Sequence, residues 1–169
     1  MNNSIQTVLD QNLNRKTISK LSLNTTGRNI LVNCNKRCFD FDKIHPNNST
    51  VDALEHNKEN YYLIEFKDER VYNPTHNWQK IMAEIVSKGF QSINSILDLY
   101  IKNNIQKIEF YKDKINLLIV FSSSKSTDLN DFKTLKTFLR EKYGHMFEID
   151  ILNERMFIED YVNTNKIGV

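Results

Sequence analysis

Apolar and polar positions alternate along this chain with two different periods, and the switches between them outline the secondary structure. In residues 1–13, Ile5, Val8, Leu9 and Leu13 recur every three or four positions, which predicts an amphipathic helix capped at Asn3 or Ser4. The same spacing runs from Trp78 to Tyr100 through Ile81, Met82, Ile85, Val86, Phe90, Ile93, Ile96 and Leu97. It predicts a long helix starting near Thr75, or two abutting helices broken around Gly89. A third helix is expected from Asp128, as cap, to Tyr143, with Leu129, Phe132, Leu135, Phe138 and Leu139 inward and Gly144 ending it.

Strand periods fill the intervals. Residues 29–33 and 37–44 read as two short strands, and 61–67 (Tyr-Tyr-Leu-Ile-Glu-Phe-Lys) as a longer one. Residues 105–111 and 115–122 follow, the second so continuously apolar that both its faces must be covered, which places it in the sheet centre. Residues 147–152 alternate as a last strand, and 156–162 read as a short helix or arm. Residues 14–28 are polar, with a turn at Asn24-Thr25-Thr26-Gly27 after a short strand or extended arm. Residues 45–60 form a long polar connection with a helical turn at 51–56. The long helix needs a sheet face, and Tyr62, Ile64 and Phe66 offer one. Helices alternating with strands predict an α/β domain, a mixed central sheet flanked by helices.

Composition narrows the picture. The chain has 169 residues, the size of one domain spanning 1–169 with a substantial core. A net charge of +2 excludes a protein that coats nucleic acid by global basicity, so any such affinity requires a local patch. Neither a signal peptide nor an apolar run near ~18 residues is present, which predicts a soluble cytoplasmic protein with no membrane partner. Cys34 and Cys38 lack the second pair that a zinc site needs and read as small buried thiols. His45, His56, His76 and His145 are scattered over loops and a helix end. No glycine-rich phosphate loop occurs. Trp78 and Phe90 read as core and not as a base-stacking platform.

The candidate chemistry lies in charges placed on strands. In residues 61–67, Glu65 and Lys67 share a face with Tyr61 and Leu63, and burying either charge alone would cost several kcal/mol. In 37–44, Asp40 and Asp42 share a face ~7 Å apart, with Phe39 and Phe41 on the other. Set beside Glu65, Asp40 or Asp42 would converge on a point where two carboxylates hold Mg²⁺ or Mn²⁺. Lys67 reaches the same point. A cation there polarises a phosphate and acidifies a water, and an ammonium beside it orients that water or steadies developing negative charge. Lys80 and Lys88 on the long helix could meet a phosphate, although helix lysines are usually solvated.

These residues resemble the PD-(D/E)XK nuclease superfamily, whose signature is an Asp on the second core strand and Glu-x-Lys on the third. Here the match is Asp40, preceded by Arg37-Cys38-Phe39, and Glu65-Phe66-Lys67, over roughly residues 28–121. With ten Glu and seventeen Lys in the chain, the tripeptide is common by chance. Its setting carries the signal: an apolar strand before a long helix, with an Asp-bearing strand upstream. The helical segment Lys88-Gly89-Phe90-Gln91-Ser92-Ile93-Asn94-Ser95-Ile96-Leu97 is also similar to bacterial proteins of this type that carry a Lys and a Ser there. The resemblance implies a restriction-endonuclease-like αβββαβ core and phosphodiester hydrolysis of DNA or RNA, with Asp40, Glu65 and Lys67 catalytic. It also implies that Asp40 and Glu65 hold the Mg²⁺ or Mn²⁺, with Asp10 as a possible further acid from the first helix. The competing expectation is an inactive binding module on the same fold, an immunity, inhibitor or assembly protein, in which Glu65 and Lys67 form a structural ion pair. A protein partner or a homodimer is compatible with either.

Overall fold

The computed structural model describes residues 4–23, 29–42, 44, 49–71, 78–105, 111, 114–125 and 128–168. The elements in chain order are α1 (Ile5–Asn12), β1 (Arg15–Thr17), α2 (Ile18–Leu21), β2 (Arg37–Asp40), β3 (Ala53–Asn57), β4 (Asn60–Lys67), α3 (Trp78–Lys102), β5 (Ile115–Phe121), α4 (Leu129–Tyr143), β6 (Glu148–Asn153) and α5 (Glu154–Phe157). A π-helical turn, Ile158–Val162, follows α5. The six strands form one mixed sheet in the order β1-β2-β3-β4-β5-β6, so the fold is α/β. Neighbours are antiparallel from β1 to β4 and parallel from β4 to β6. Parallel neighbours need crossover connections, and α3 and α4 supply them.

Local sequence accounts for most boundaries. Ser4 caps α1 by accepting the Thr7 N–H at 3.2 Å, and Asp128 caps α4 by accepting the Asn130 N–H at 2.8 Å. Gly144 follows α4, with its N–H on the Arg140 carbonyl. β5 is an interior strand and, as its unbroken apolar run requires, is buried on both faces. Leu129, expected inward on α4, is instead exposed.

Several expectations are corrected. The strand expected over residues 29–33 reduces to a single bridge between Leu23 and Ile30. The strand beginning at Arg37 stops at Asp40. The helical turn expected over 51–56 is β3, which pairs with β4 across the two-residue turn Lys58-Glu59, where Lys58 has φ 58°. The strand expected at 105–111, the turn at Asn24-Thr25-Thr26-Gly27 and the start of the long helix near Thr75 fall largely or wholly outside the described residues.

α3 is continuous through Gly89, so that glycine serves close packing and not a break. A Cβ there would lie 3.1 Å from the Phe147 ring and 3.4 Å from Leu117. Gly89→Leu is therefore expected to lift the helix from the sheet and cost about 1–3 kcal/mol, read as a lowered midpoint in thermal or denaturant unfolding.

α3 also takes the opposite sheet face from the one expected. Its Met82, Ile85, Val86, Ile96 and Tyr100 pack in one core with Tyr61 and Leu63, together with residues of α1 and α4. The Tyr62 and Ile64 face is covered by Ile18 of α2, Phe157 of α5 and Val162 and Ile167 beyond it. The alternation on β4 thus separates the faces as read, but α3 covers the face that carries Glu65. Among the described residues, no helix is long and apolar enough to cross a membrane.

Candidate metal and nucleic-acid site

The β3–β4 hairpin positions the first two acids. Its ladder pairs Asn57 with Asn60 and ends with Ala53 opposite Ile64. Asp52 comes immediately before this ladder and Glu65 immediately after Ile64, and both line one cavity. Asp52 Oδ2 accepts the Phe66 N–H at 2.7 Å, which fixes its carboxylate against the backbone just past Glu65.

α3 holds the segment that delivers Asp52. Ser92 Oγ accepts the Val51 N–H at 3.0 Å and Gln91 Oε1 accepts the Ser49 N–H at 2.7 Å. Thr50 Oγ1 donates to the Phe41 carbonyl at 2.7 Å, tying the same segment to the end of β2. Three or four residues before Gln91 and Ser92, on the same helical face, Lys88 places its Nζ 2.8 Å from Glu65 Oε1. Lys67 Nζ lies 3.0 Å from the same oxygen.

Glu65 is 1% exposed, and its buried Oε2 has no hydrogen-bond partner among the described residues. Two ammonium groups crowd one carboxylate oxygen while the other has none, which is an unusual state for a buried ionised group. The electrostatics point the same way. Burial first, then the charge of Glu65, push the Asp52 carboxyl up to about 7, against the Phe66 N–H and Lys88, which lower it. Burial works to lower the Lys88 ammonium, but Glu65, Asp52 and Asp42 outweigh it and leave it raised. Among the described residues, Lys88 is the strongest cation acting on Asp52. These groups line a cavity of about 430 Å³, bounded also by Asp68 and Glu69 and, across the sheet end, by Leu21, Ser22 and Leu23. Lys125 stands by its rim, paired with Asp68 at 2.9 Å.

Of the residues singled out from sequence, Glu65 and Lys67 meet here and Asp40 does not join them. Asp40 sits opposite Ala53, so the whole of β3 separates it from β4. Its carboxylate pairs with Lys16 and lines a different cavity, beside Leu13, Leu99 and Lys102. Asp42, the alternative to Asp40, is exposed past the end of β2, but its charge acts on both Asp52 and Lys88. Asp10 is remote, held by Gln6 and near Arg15. Lys80 is exposed, as expected of a helix lysine, whereas Lys88 is drawn in by Glu65. His56 packs on Tyr61 at the far end of β4, His145 is exposed in the turn after α4, and His45 and His76 lie outside the described residues. Cys38 is buried and Cys34 half-buried, both as free thiols.

Sequence reading missed Asp52 and undervalued Lys88. Ala53, Leu54 and Glu55 are helix formers, which disguised the strand behind Asp52. Counting outward from a two-residue turn at Lys58-Glu59 would have paired Asp52 with Glu65, but that turn lacks the Gly or Asn that usually marks a left-handed residue.

Asp52 and the free oxygen of Glu65 fit a hard divalent cation, which binds carboxylate and water oxygens. Among the described residues no group of three or more His, Cys, Asp or Glu side chains gathers for a metal, so such an ion would complete its shell with water, backbone oxygen or substrate. Comparison with protein-family models, curated proteins and solved structures gives no match.

Proposed function

We propose that this protein is a metal-dependent nuclease of the PD-(D/E)XK type, with Asp52 and Glu65 as the Mg²⁺ or Mn²⁺ ligands and Lys67 as the catalytic ammonium that orients the attacking water and steadies developing negative charge. The observation that carries this reading is the buried Oε2 of Glu65, without a hydrogen-bond partner among the described residues, in the same cavity as Asp52, whose carboxyl the charge of Glu65 helps to push up. The order of elements is compatible with it: β1 and α2 intervene after α1, and the antiparallel strands β2, β3 and β4 are then followed by α3 and the parallel β5, the βββαβ part of the expected αβββαβ core. Within that order β3 is the second core strand and β4 the third, so Asp52 takes the place first given to Asp40.

When bound, the cation polarises a phosphodiester and lowers the pKa of a water. Asp52 and Glu65 would hold it, Asp52 fixed by the Phe66 N–H in the segment just before β3 and Glu65 by its place on β4. The Lys67 side chain, largely buried beside Glu65, keeps its ammonium within the site, where it orients the attacking water and steadies charge on the phosphate oxygens. Lys88 and Lys125 add positive charge around the cavity, which is the local patch that a net charge of only +2 demands.

The alternative reading, an inactive binding module, draws on the 3.0 Å Lys67–Glu65 pair, the structural ion pair that it requires. It leaves Oε2 unexplained. Incubation of the purified protein with end-labelled DNA and RNA, single- and double-stranded, in Mn²⁺ or in EDTA separates the two. Cleavage in Mn²⁺ that EDTA abolishes supports the nuclease. Intact substrates in every arm support the binding module.

A further inference from the structure

Resting on the metal-site reading above, we infer that Lys88 is a built-in competitor for the divalent cation: in the unloaded protein its ammonium, held on Oε1 of Glu65, supplies the positive charge that the ion would bring to Asp52 and Glu65, and the ion displaces it on binding. Three features argue for this role. Lys88 comes from α3, across the layer from both acids, so its contact with Glu65 is not a by-product of strand alternation, as the Lys67 contact is. It acts on both carboxylates, by a 2.8 Å contact with Glu65 and as the strongest cation on Asp52. Its side chain is 23% exposed and lines the open cavity, so it has a route outward once Glu65 releases it.

Displacement need not strand a charge. An ammonium on a flexible four-carbon stem swings to solvent at small cost, and Glu65 retains Lys67. The unpartnered Oε2 then gains a ligand, and the mutual repulsion of Asp52 and Glu65 is neutralised by a doubly charged ion in place of a singly charged one. Lys88 in this scheme sets the cation concentration at which the site fills. It is a positioning group and takes no part in bond breaking.

Calorimetric titration of Mn²⁺ alone into wild type, Lys88→Met, Lys88→Arg and Lys125→Met tests this. Lys125 pairs with Asp68 at the rim of the same cavity and controls for the general effect of removing a positive charge. Lys88→Met is expected to bind Mn²⁺ about tenfold more tightly than wild type, with Lys125→Met within about threefold of wild type. Lys88→Arg keeps the cation and is expected to stay near wild type, which holds the comparison open should Lys88→Met melt early. Equal Mn²⁺ affinity in wild type and Lys88→Met, or a gain of the same size in Lys125→Met, overturns the competitor role while leaving the metal site standing. Absence of Mn²⁺ binding in all four proteins overturns the metal site and the competitor role together.

Discussion

Asp52→Asn is expected to reduce Mn²⁺-supported cleavage of nucleic acid at least ~100-fold, while Asp40→Asn stays within about threefold of wild type. A hundredfold corresponds to about 2.7 kcal/mol of transition-state stabilisation, an ordinary loss when one of two cation ligands is removed. Asn is chosen because its side-chain oxygen still accepts the Phe66 N–H, so the segment before β3 keeps its anchor and only the charge is lost. Asp40 pairs with Lys16 and lies a full strand away from β4, so its neutralisation should touch stability slightly and cleavage hardly at all. Matching circular dichroism and unfolding curves for the two variants would establish that neither effect is misfolding. Equal loss in both variants, or full activity in Asp52→Asn, would contradict the site.

The second large effect is on stability against pH. The Asp52 carboxyl titrates at about 7 when folded against 3.8 when free, so the folded chain holds a proton between those values that the unfolded chain has released. The stability that this proton provides is complete below about pH 4 and is lost as pH rises through 7. A displacement of that size corresponds to at most about 4 kcal/mol. In the absence of metal, Asp52→Asn is expected to melt several degrees above wild type at pH 8, with the gap narrowing towards pH 5, since ~1 kcal/mol moves a domain of this size by roughly 2–4 °C. Mn²⁺ reverses the comparison at pH 8: it binds the charged pair of the folded wild type and raises its melting temperature, but leaves Asp52→Asn nearly unmoved. Scanning fluorimetry across pH 5–8 with and without Mn²⁺ reads both effects. A wild type that melts higher than Asp52→Asn at pH 8 without metal would mean that burial and the charge of Glu65 do not raise the Asp52 carboxyl as described.

The sequence disclosed one half of this arrangement better than the other. Glu65 and Lys67 could be read because they interrupt an apolar strand with period-two spacing, and charges on such a strand demand partners whatever the fold. α1, α4 and β5 were readable for a similar reason, since a cap or an unbroken apolar run constrains the chain locally. Asp52 was hidden because its neighbours Ala53, Leu54 and Glu55 carry helix propensity, and only pairing with β4 makes them a strand. Propensity is a weak signal where tertiary pairing decides. The face covered by α3 was equally unreadable: alternation divides β4 into two apolar faces, Tyr61 with Leu63 and Tyr62 with Ile64, and nothing within the strand ranks them. Choosing the wrong one separated Lys88 from Glu65, when the helix in fact brings them to 2.8 Å.

Diffraction from crystals soaked in Mn²⁺, with the anomalous signal of the ion used to place it, decides whether Asp52 and Glu65 hold a metal. A single strong site between the Asp52 carboxylate and Oε2 of Glu65 is expected, with Lys88 drawn away from Oε1. A fully occupied Mn²⁺ site at Asp40, or none near Glu65 with Lys67 and Lys88 still holding it, would contradict it.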